Sequence, residues 1–138
     1  MLVNRRTIRI EWGDCDPAGI VFYPRYFAHF NECTIALFEA AGLPKKRQML
    51  KDFKMAGFPM VECKARFLIP SRFGDDVVVE SRIAEWRRSS FDVEHKLFRG
   101  SDLSVECFET RVWAIPDPAD PERIKGEAVP EEIRARFR

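Results

Sequence analysis

The sequence predicts an α+β protein in which an antiparallel sheet of about five strands packs on one long helix. Three observations predict it. One long helical segment, residues 24–41, carries apolar side chains around most of its circumference, and a helix of that kind is usually buried by something large. One strand-like segment precedes it and four follow it. Consecutive strands joined by short turns pair antiparallel, and one such sheet with one such helix makes an α+β layer. The third observation is length. The 138 residues fit one domain, 1–138, able to bury a core without disulfide staples.

Each element has its own signal. Residues 7–12 alternate, with Ile8, Ile10 and Trp12 on one face and Arg9 and Glu11 on the other, as in a half-buried strand. The loop GDCDPAGIVFYP follows, broken by glycine and proline. In the helix, Pro24 suits the first turn and Gly42, ahead of Pro44, suits the C-terminal cap. Residues 45–57 are basic and mixed, a loop with a short helical turn. Residues 60–69 set Val61, Cys63, Ala65 and Phe67 against Glu62, Lys64 and Arg66. Residues 76–85 hold Val77, Val78, Val79 and Ile83, and residues 91–98 place Phe91, Val93, His95 and Leu97 on one face. Residues 103–115 read as the last strand, with the alternation slipping near Phe108, as at a bulge. The tail from Pro116 is charged and proline-rich, and closes on the helical piece EEIRARF.

Composition excludes several classes. A formal charge of +1 gives no overall attraction to nucleic acid or an anionic membrane, so any anion site is a local cluster. Nowhere is there an apolar run long enough to span a bilayer, and the start MLVNRRTIRIEW is no signal segment. Cys15, Cys33, Cys63 and Cys107 form no C-x-x-C pair and no metal-ligand run. Free buried thiols suit a reducing compartment, so the expected location is the cytoplasm.

The densest chemistry is Asp14-Cys15-Asp16-Pro17-Ala18-Gly19, between a strand end and a helix start. A helix N-terminus offers unpaired backbone N–H groups and the positive end of the helix dipole. Those donors can hold the oxyanion of an acyl-transfer intermediate. A carboxylate beside them suffices to hydrolyse a thioester, whose thiolate leaves readily. Calcium does not fit, because the fifth and twelfth loop positions from Asp14 are Ala18 and Arg25. The acids can also serve as an Asx turn and cap, the ordinary reading for Asp14. Cys15 has no histidine placed by sequence to partner it as a nucleophile.

His29 and Glu32 lie three apart on the helix without a second ligand pair, so His29 reads as a satisfied helix histidine and His95 as a core histidine. Glu85-Trp86-Arg87-Arg88-Ser89-Ser90-Phe91 sits at a hairpin end, where adjacent arginines and hydroxyls can bind phosphate. Lys45, Lys46 and Arg47 form a second basic cluster. Either alone is ordinarily a solvated turn; together they suit a polyanionic carrier such as coenzyme A.

These residues resemble the 4-hydroxybenzoyl-CoA thioesterase family. The match runs from Glu11 to Val21 (EWGDCDPAGIV) through Tyr23-Pro24 and Tyr26, Gly42-Leu43-Pro44, Arg47-Gln48, Pro59 and EWRR-x-SF, with similar spacing to Arg111-Val112 and Val129-Pro130. The resemblance implies a hot-dog fold, self-association to dimers or tetramers, an active site between subunits, and no cofactor beyond the coenzyme A of the acyl-CoA substrate. It implies that Asp16 is the catalytic carboxylate, as nucleophile or general base. It implies that the Tyr23 N–H polarises the thioester carbonyl, that Gly19 completes the tight loop, and that Arg87 and Arg88 hold the coenzyme A phosphates.

The departures concern the acyl group. The family carries an Asp that contacts the ring hydroxyl where this helix has Asn31, a Thr where this chain has Phe58, and a Trp where it has Lys46. A third basic residue after the arginines is Ser89 here, so phosphate contacts shift, with Lys46 as a candidate. The expected activity is hydrolysis of a benzoyl-type CoA thioester. A short-chain aliphatic thioesterase of the same fold is the near alternative, and a noncatalytic acyl-CoA binder is a further one. A hydratase of this fold needs a His after Asp16-Pro17, and none follows.

Overall fold

A computed structural model describes residues 1–138. In chain order it contains β1 (Asn4–Arg9), a 3-10 turn (Trp12–Asp14), α1 (Tyr23–Ala40), α2 (Lys46–Asp52), β2 (Met60–Phe67), β3 (Asp76–Trp86), β4 (Ser90–Arg99), β5 (Asp102–Val112), β6 (Ala114–Asp117), β7 (Asp120–Gly126) and α3 (Glu131–Ala135). Five strands form one sheet in the order β1-β3-β4-β5-β2, every pair antiparallel. Inward side chains of all five meet α1: Ile8, Val77, Val79, Leu97, Val105 and Cys107, with Cys63 and Ala65 at the margin, pack around Tyr26, Phe30 and Cys33. The sheet thus curves around one side of the helix, the hot-dog arrangement.

The ends of α1 follow from its residues. Gly42 adopts φ 84°, and the bonds Gly42 N–H to Glu39 C=O (2.9 Å) and Leu43 N–H to Phe38 C=O (3.3 Å) form a Schellman cap. Leu43 and Phe38 close it by packing in the same cluster. Tyr26, Phe30, Cys33, Thr34, Leu37 and Phe38 repeat at helical spacing as one buried stripe. Ala28, Asn31, Glu32, Glu39 and Ala40 stay exposed, so within one chain α1 is buried on one side and not on most sides.

Other boundaries differ from the sequence reading. β1 ends at Arg9, and Trp12 starts the 3-10 turn with 66% of its surface exposed. The apolar face of β2 is only partly covered, because β2 is an edge strand: Val61 is 64% exposed. No bulge lies at Phe108, which pairs in regular register with Glu94 and Lys64. Alternation continues through Val105, Cys107, Glu109 and Arg111, all buried, so the inward face changes chemistry there and not direction. The tail contains the hairpin β6–β7 before the expected helical piece, α3, whose Ile133 and Phe137 join the core.

Candidate active site

The loop before α1 separates its two acids. Asp14 is buried, accepting the Glu11 N–H at 2.9 Å and facing His29 Nε2 at 3.1 Å, while its own N–H returns to Glu11 C=O at 3.0 Å. Asp14 therefore builds the turn and satisfies His29. Asp16 is half-exposed, and only its Oδ1 is engaged, by the Ala18 N–H at 2.9 Å. Its carbonyl accepts the Gly19 N–H at 2.9 Å across Pro17-Ala18, closing a tight turn, and Gly19 sits at φ 78°, where a Cβ is disfavoured. The Cys15–Val21 bridge and the bond from Phe22 N–H to Asp14 C=O (2.8 Å) fold the loop back onto the start of α1. Burial and the charges of Asp14 and Asp16 push the Cys15 thiol up, opposite to what a thiolate nucleophile needs.

The start of α1 is open. Phe22 at the N-cap supplies no side-chain acceptor, and Pro24 has no N–H. The N–H of Tyr23, first residue of the helix, has no partner inside the helix and none in the loop. Beside it lies an apolar cleft of about 310 Å³, lined by Ile20, Tyr23, Tyr26, Phe67, Leu68 and Ile69 among others. From the turn that holds Asp16 the chain runs through Ile20 and Val21, which line that cleft, to the unpaired donor at the start of the helix.

A second group lies eight residues further along α1, about 12 Å at 1.5 Å per residue. Arg111 reaches from β5 and donates to Asn31 Oδ1 (2.9 Å), the Phe58 carbonyl (3.2 Å) and Glu109 (2.9 Å). Lys46 Nζ stands 4.7 Å from the Phe58 ring centre, and the Arg111 guanidinium stands 5.6 Å from it. Phe58 itself is buried and stacks on Phe38. Behind them runs a buried polar chain. Thr34 donates to Glu109 at 2.6 Å, so His95 Nε2, 3.1 Å from that hydroxyl, must be the donor to Thr34. Ser81 meets His95 Nδ1 at 2.7 Å. Burial would raise the Glu109 carboxyl, but the hydrogen bonds from His95 and Arg111 outweigh it and hold it down at about 2.

The arginine pair divides. Arg87 is committed to its own hairpin: Asp92 (2.6 and 3.0 Å), Glu85 (3.2 Å) and Ser90 Oγ (2.8 Å) occupy its guanidinium. The Arg87 bond in turn holds the Asp92 carboxyl below its ordinary range. Arg88 projects into solvent, with Glu127 no nearer than 3.8 Å. Ser89 uses its carbonyl for the Trp113 N–H at 2.7 Å. No ion pair or ring contact joins Lys46 to this turn; its neighbours are Phe58 and Arg111.

The family model described as the thioesterase-like superfamily matches residues 10–137. The chain belongs to that superfamily. Against the 4-hydroxybenzoyl-CoA thioesterase of Pseudomonas sp. (strain CBS-3), this thioesterase-like chain is 39% identical over 127 residues, 88% of each protein. An Asp-to-Asn mutant of a 4-hydroxybenzoyl CoA thioesterase, solved with 4-hydroxybenzoyl CoA, superposes with a TM-score of 0.89 at 34% identity over 99% of both chains. The gentisyl-coenzyme A thioesterase BH1999 superposes at 0.82 with 31% identity, over 95% of this chain and 99% of that one. The chain is a thioester hydrolase of the hot-dog fold.

Sequence reasoning did not find the part of this thioesterase that β5 contributes. Glu109 and Arg111 lie in a segment read as an irregular apolar strand. The available signal was two ionisable residues at strand spacing in register with Val105 and Cys107. Tyr26 of the apolar cleft entered the sequence reading only as part of the family resemblance, and Phe67 only as one face of a strand.

Proposed function

We propose that this hydrolase cleaves aromatic acyl-CoA thioesters to the free acid and coenzyme A. One observation carries the reading: Asp16, with one oxygen free, stands in a tight turn whose chain leads through Ile20 and Val21 of an apolar cleft to an unpaired backbone donor at the start of α1. The Tyr23 N–H polarises the thioester carbonyl and stabilises the oxyanion. Asp16 acts on the carbonyl carbon, directly or through water, and the thiolate leaves. The similarity to enzymes named for 4-hydroxybenzoyl and gentisyl thioesters favours an aromatic acyl group. Arg88 is the free cation for a coenzyme A phosphate, and Arg87 shapes the turn that presents it.

Self-association belongs to the same proposal. β2 is an edge strand with exposed Met60, Val61 and Phe67, a surface suited to pairing with a second copy. A benzoyl group is shorter than the interval between Tyr23 and Asn31 on one α1, which fits an acyl site completed by the partner's Asn31 and Phe58. Four free cysteines fit a reducing cytoplasm, and no helix is long and apolar enough to cross a membrane.

The test is thiol release from benzoyl-CoA, 4-hydroxybenzoyl-CoA, a 2-substituted benzoyl-CoA and butyryl-CoA, with wild type and Asp16→Asn. Aroyl turnover well above butyryl turnover, with kcat lowered about 100-fold or more in Asp16→Asn, is expected. A variant retaining most of its kcat removes Asp16 from the chemistry. Release from butyryl-CoA alone moves the activity to the aliphatic branch.

A further inference from the structure

The group around Phe58 is unusual in its balance of donors and acceptors. A guanidinium has no acceptor, so the Arg111–Asn31 contact at 2.9 Å forces the carboxamide oxygen of Asn31 inward. The carboxamide N–H groups then face outward from an exposed position, and they bond to nothing in the chain. Arg111 cannot turn away, because Glu109 and the Phe58 carbonyl hold two of its other N–H groups. Lys46 stands over the same ring at 4.7 Å. No carboxylate compensates it. Glu39 borders the same hollow but forms no ion pair with Lys46, Glu109 is already shared by Arg111, His95 and Thr34, and Glu32 is turned to Arg6 at 3.3 Å. Partial burial and the neighbouring Arg111 charge both lower the Lys46 ammonium, as for a cation lacking its anion.

We infer that Asn31 and Lys46, oriented and supported by Arg111, form a donor-only subsite for an anionic oxygen on the acyl group, such as a second carboxylate on an aroyl-CoA. The inference rests on the thioesterase reading and adds the acyl substituent to it. Asn31 offers N–H donors to one oxygen, and Lys46 supplies the charge. The Phe58 ring beneath both cations is buried and stacked on Phe38, and supports them. A neutral hydroxyl gains less here, because it brings no charge to set against the Lys46 ammonium. Arg111 is a positioning residue, reaching the substrate only through Asn31.

The experiment compares kcat/KM for 3-carboxybenzoyl-CoA, 4-carboxybenzoyl-CoA and benzoyl-CoA in wild type, Lys46→Met and Asn31→Asp. In wild type, one carboxybenzoyl isomer is expected to exceed benzoyl-CoA by about tenfold or more. Lys46→Met should reduce that ratio by about tenfold, and Asn31→Asp, which sets an acceptor against the substituent, should bring it below one. The ratio is internal to each protein, so a general loss of activity does not imitate the result. Benzoyl-CoA turned over as well as both carboxybenzoyl thioesters by wild type overturns the subsite while leaving the thioesterase intact. So does a ratio that neither variant changes. Hydrolysis of butyryl-CoA with no aroyl-CoA accepted overturns both readings.

Discussion

Asp14 and Asp16 are two residues apart and do different things because the loop turns between them. Asp14 is drawn inward by the Glu11 N–H and His29, while Asp16 is left with one engaged oxygen and one free. The two are separable by experiment. Asp14→Ala removes a turn acceptor and leaves His29 unpaired, so it should lower unfolding stability by about 1–2 kcal/mol in urea titrations. Its loss of activity should follow its loss of folded protein, whereas Asp16→Asn should unfold as wild type does. Among the arginines, Arg88→Ala should raise KM for the CoA thioester several-fold with little change in kcat. Steady-state kinetics on benzoyl-CoA check this.

At the scale of the element, β5 is a strand whose inward face is apolar for half its length and ionic for the rest. The Glu109 carboxyl is held at about 2 against an ordinary 4.5. A carboxyl lowered on folding contributes stability that is complete above its unfolded value and is lost as pH falls through its folded one. The Glu109 contribution is therefore full above pH 4.5 and disappears towards pH 2, and is on the order of 3 kcal/mol. Glu109→Gln leaves Arg111 buried without a counter-charge and should cost roughly 3 kcal/mol at pH 7. In urea melts at pH 7 and pH 3, the variant should lose less stability between the two than wild type. α1 has an equally specific requirement at its end. Gly42→Ala puts a Cβ at a φ of 84° and 3.1 Å from Arg136 Nη1, and should lower stability by about 1 kcal/mol or more in thermal melts.

For the whole molecule, the edge of β2 and the outer side of α1 are both left uncovered. Val61→Lys places a charge on that edge, which blocks strand pairing between copies. It should shift the protein towards monomer in sedimentation velocity. If the acyl site is shared between subunits, thiol release should fall in proportion to the dimer lost.

The strands, the helix with its glycine cap and the position of Asp16 before the helix were legible in the sequence from local rules: period-two and period-3.6 patterning, the freedom of glycine at positive φ, and the punctuation of DPAG. The hot-dog arrangement of those elements rested in part on the family resemblance. Reading the buried side of β4 was equally local, since Phe91, Val93, His95 and Leu97 alternate without interruption. What only the tertiary structure decided was pairing between distant residues. Arg87 and Arg88 are equivalent as letters, yet Asp92 across the hairpin occupies one and leaves the other exposed, with only Glu127 near it at 3.8 Å. Glu109 and Arg111 read as a break in an apolar strand until Thr34, His95 and Asn31 were brought to them over intervals of 75, 14 and 80 residues respectively. Periodicity assigns a side chain to a face. Whether a charge on that face is tolerated depends on which partner the folded chain sets against it, and that partner is fixed by sheet order and register rather than by sequence neighbours.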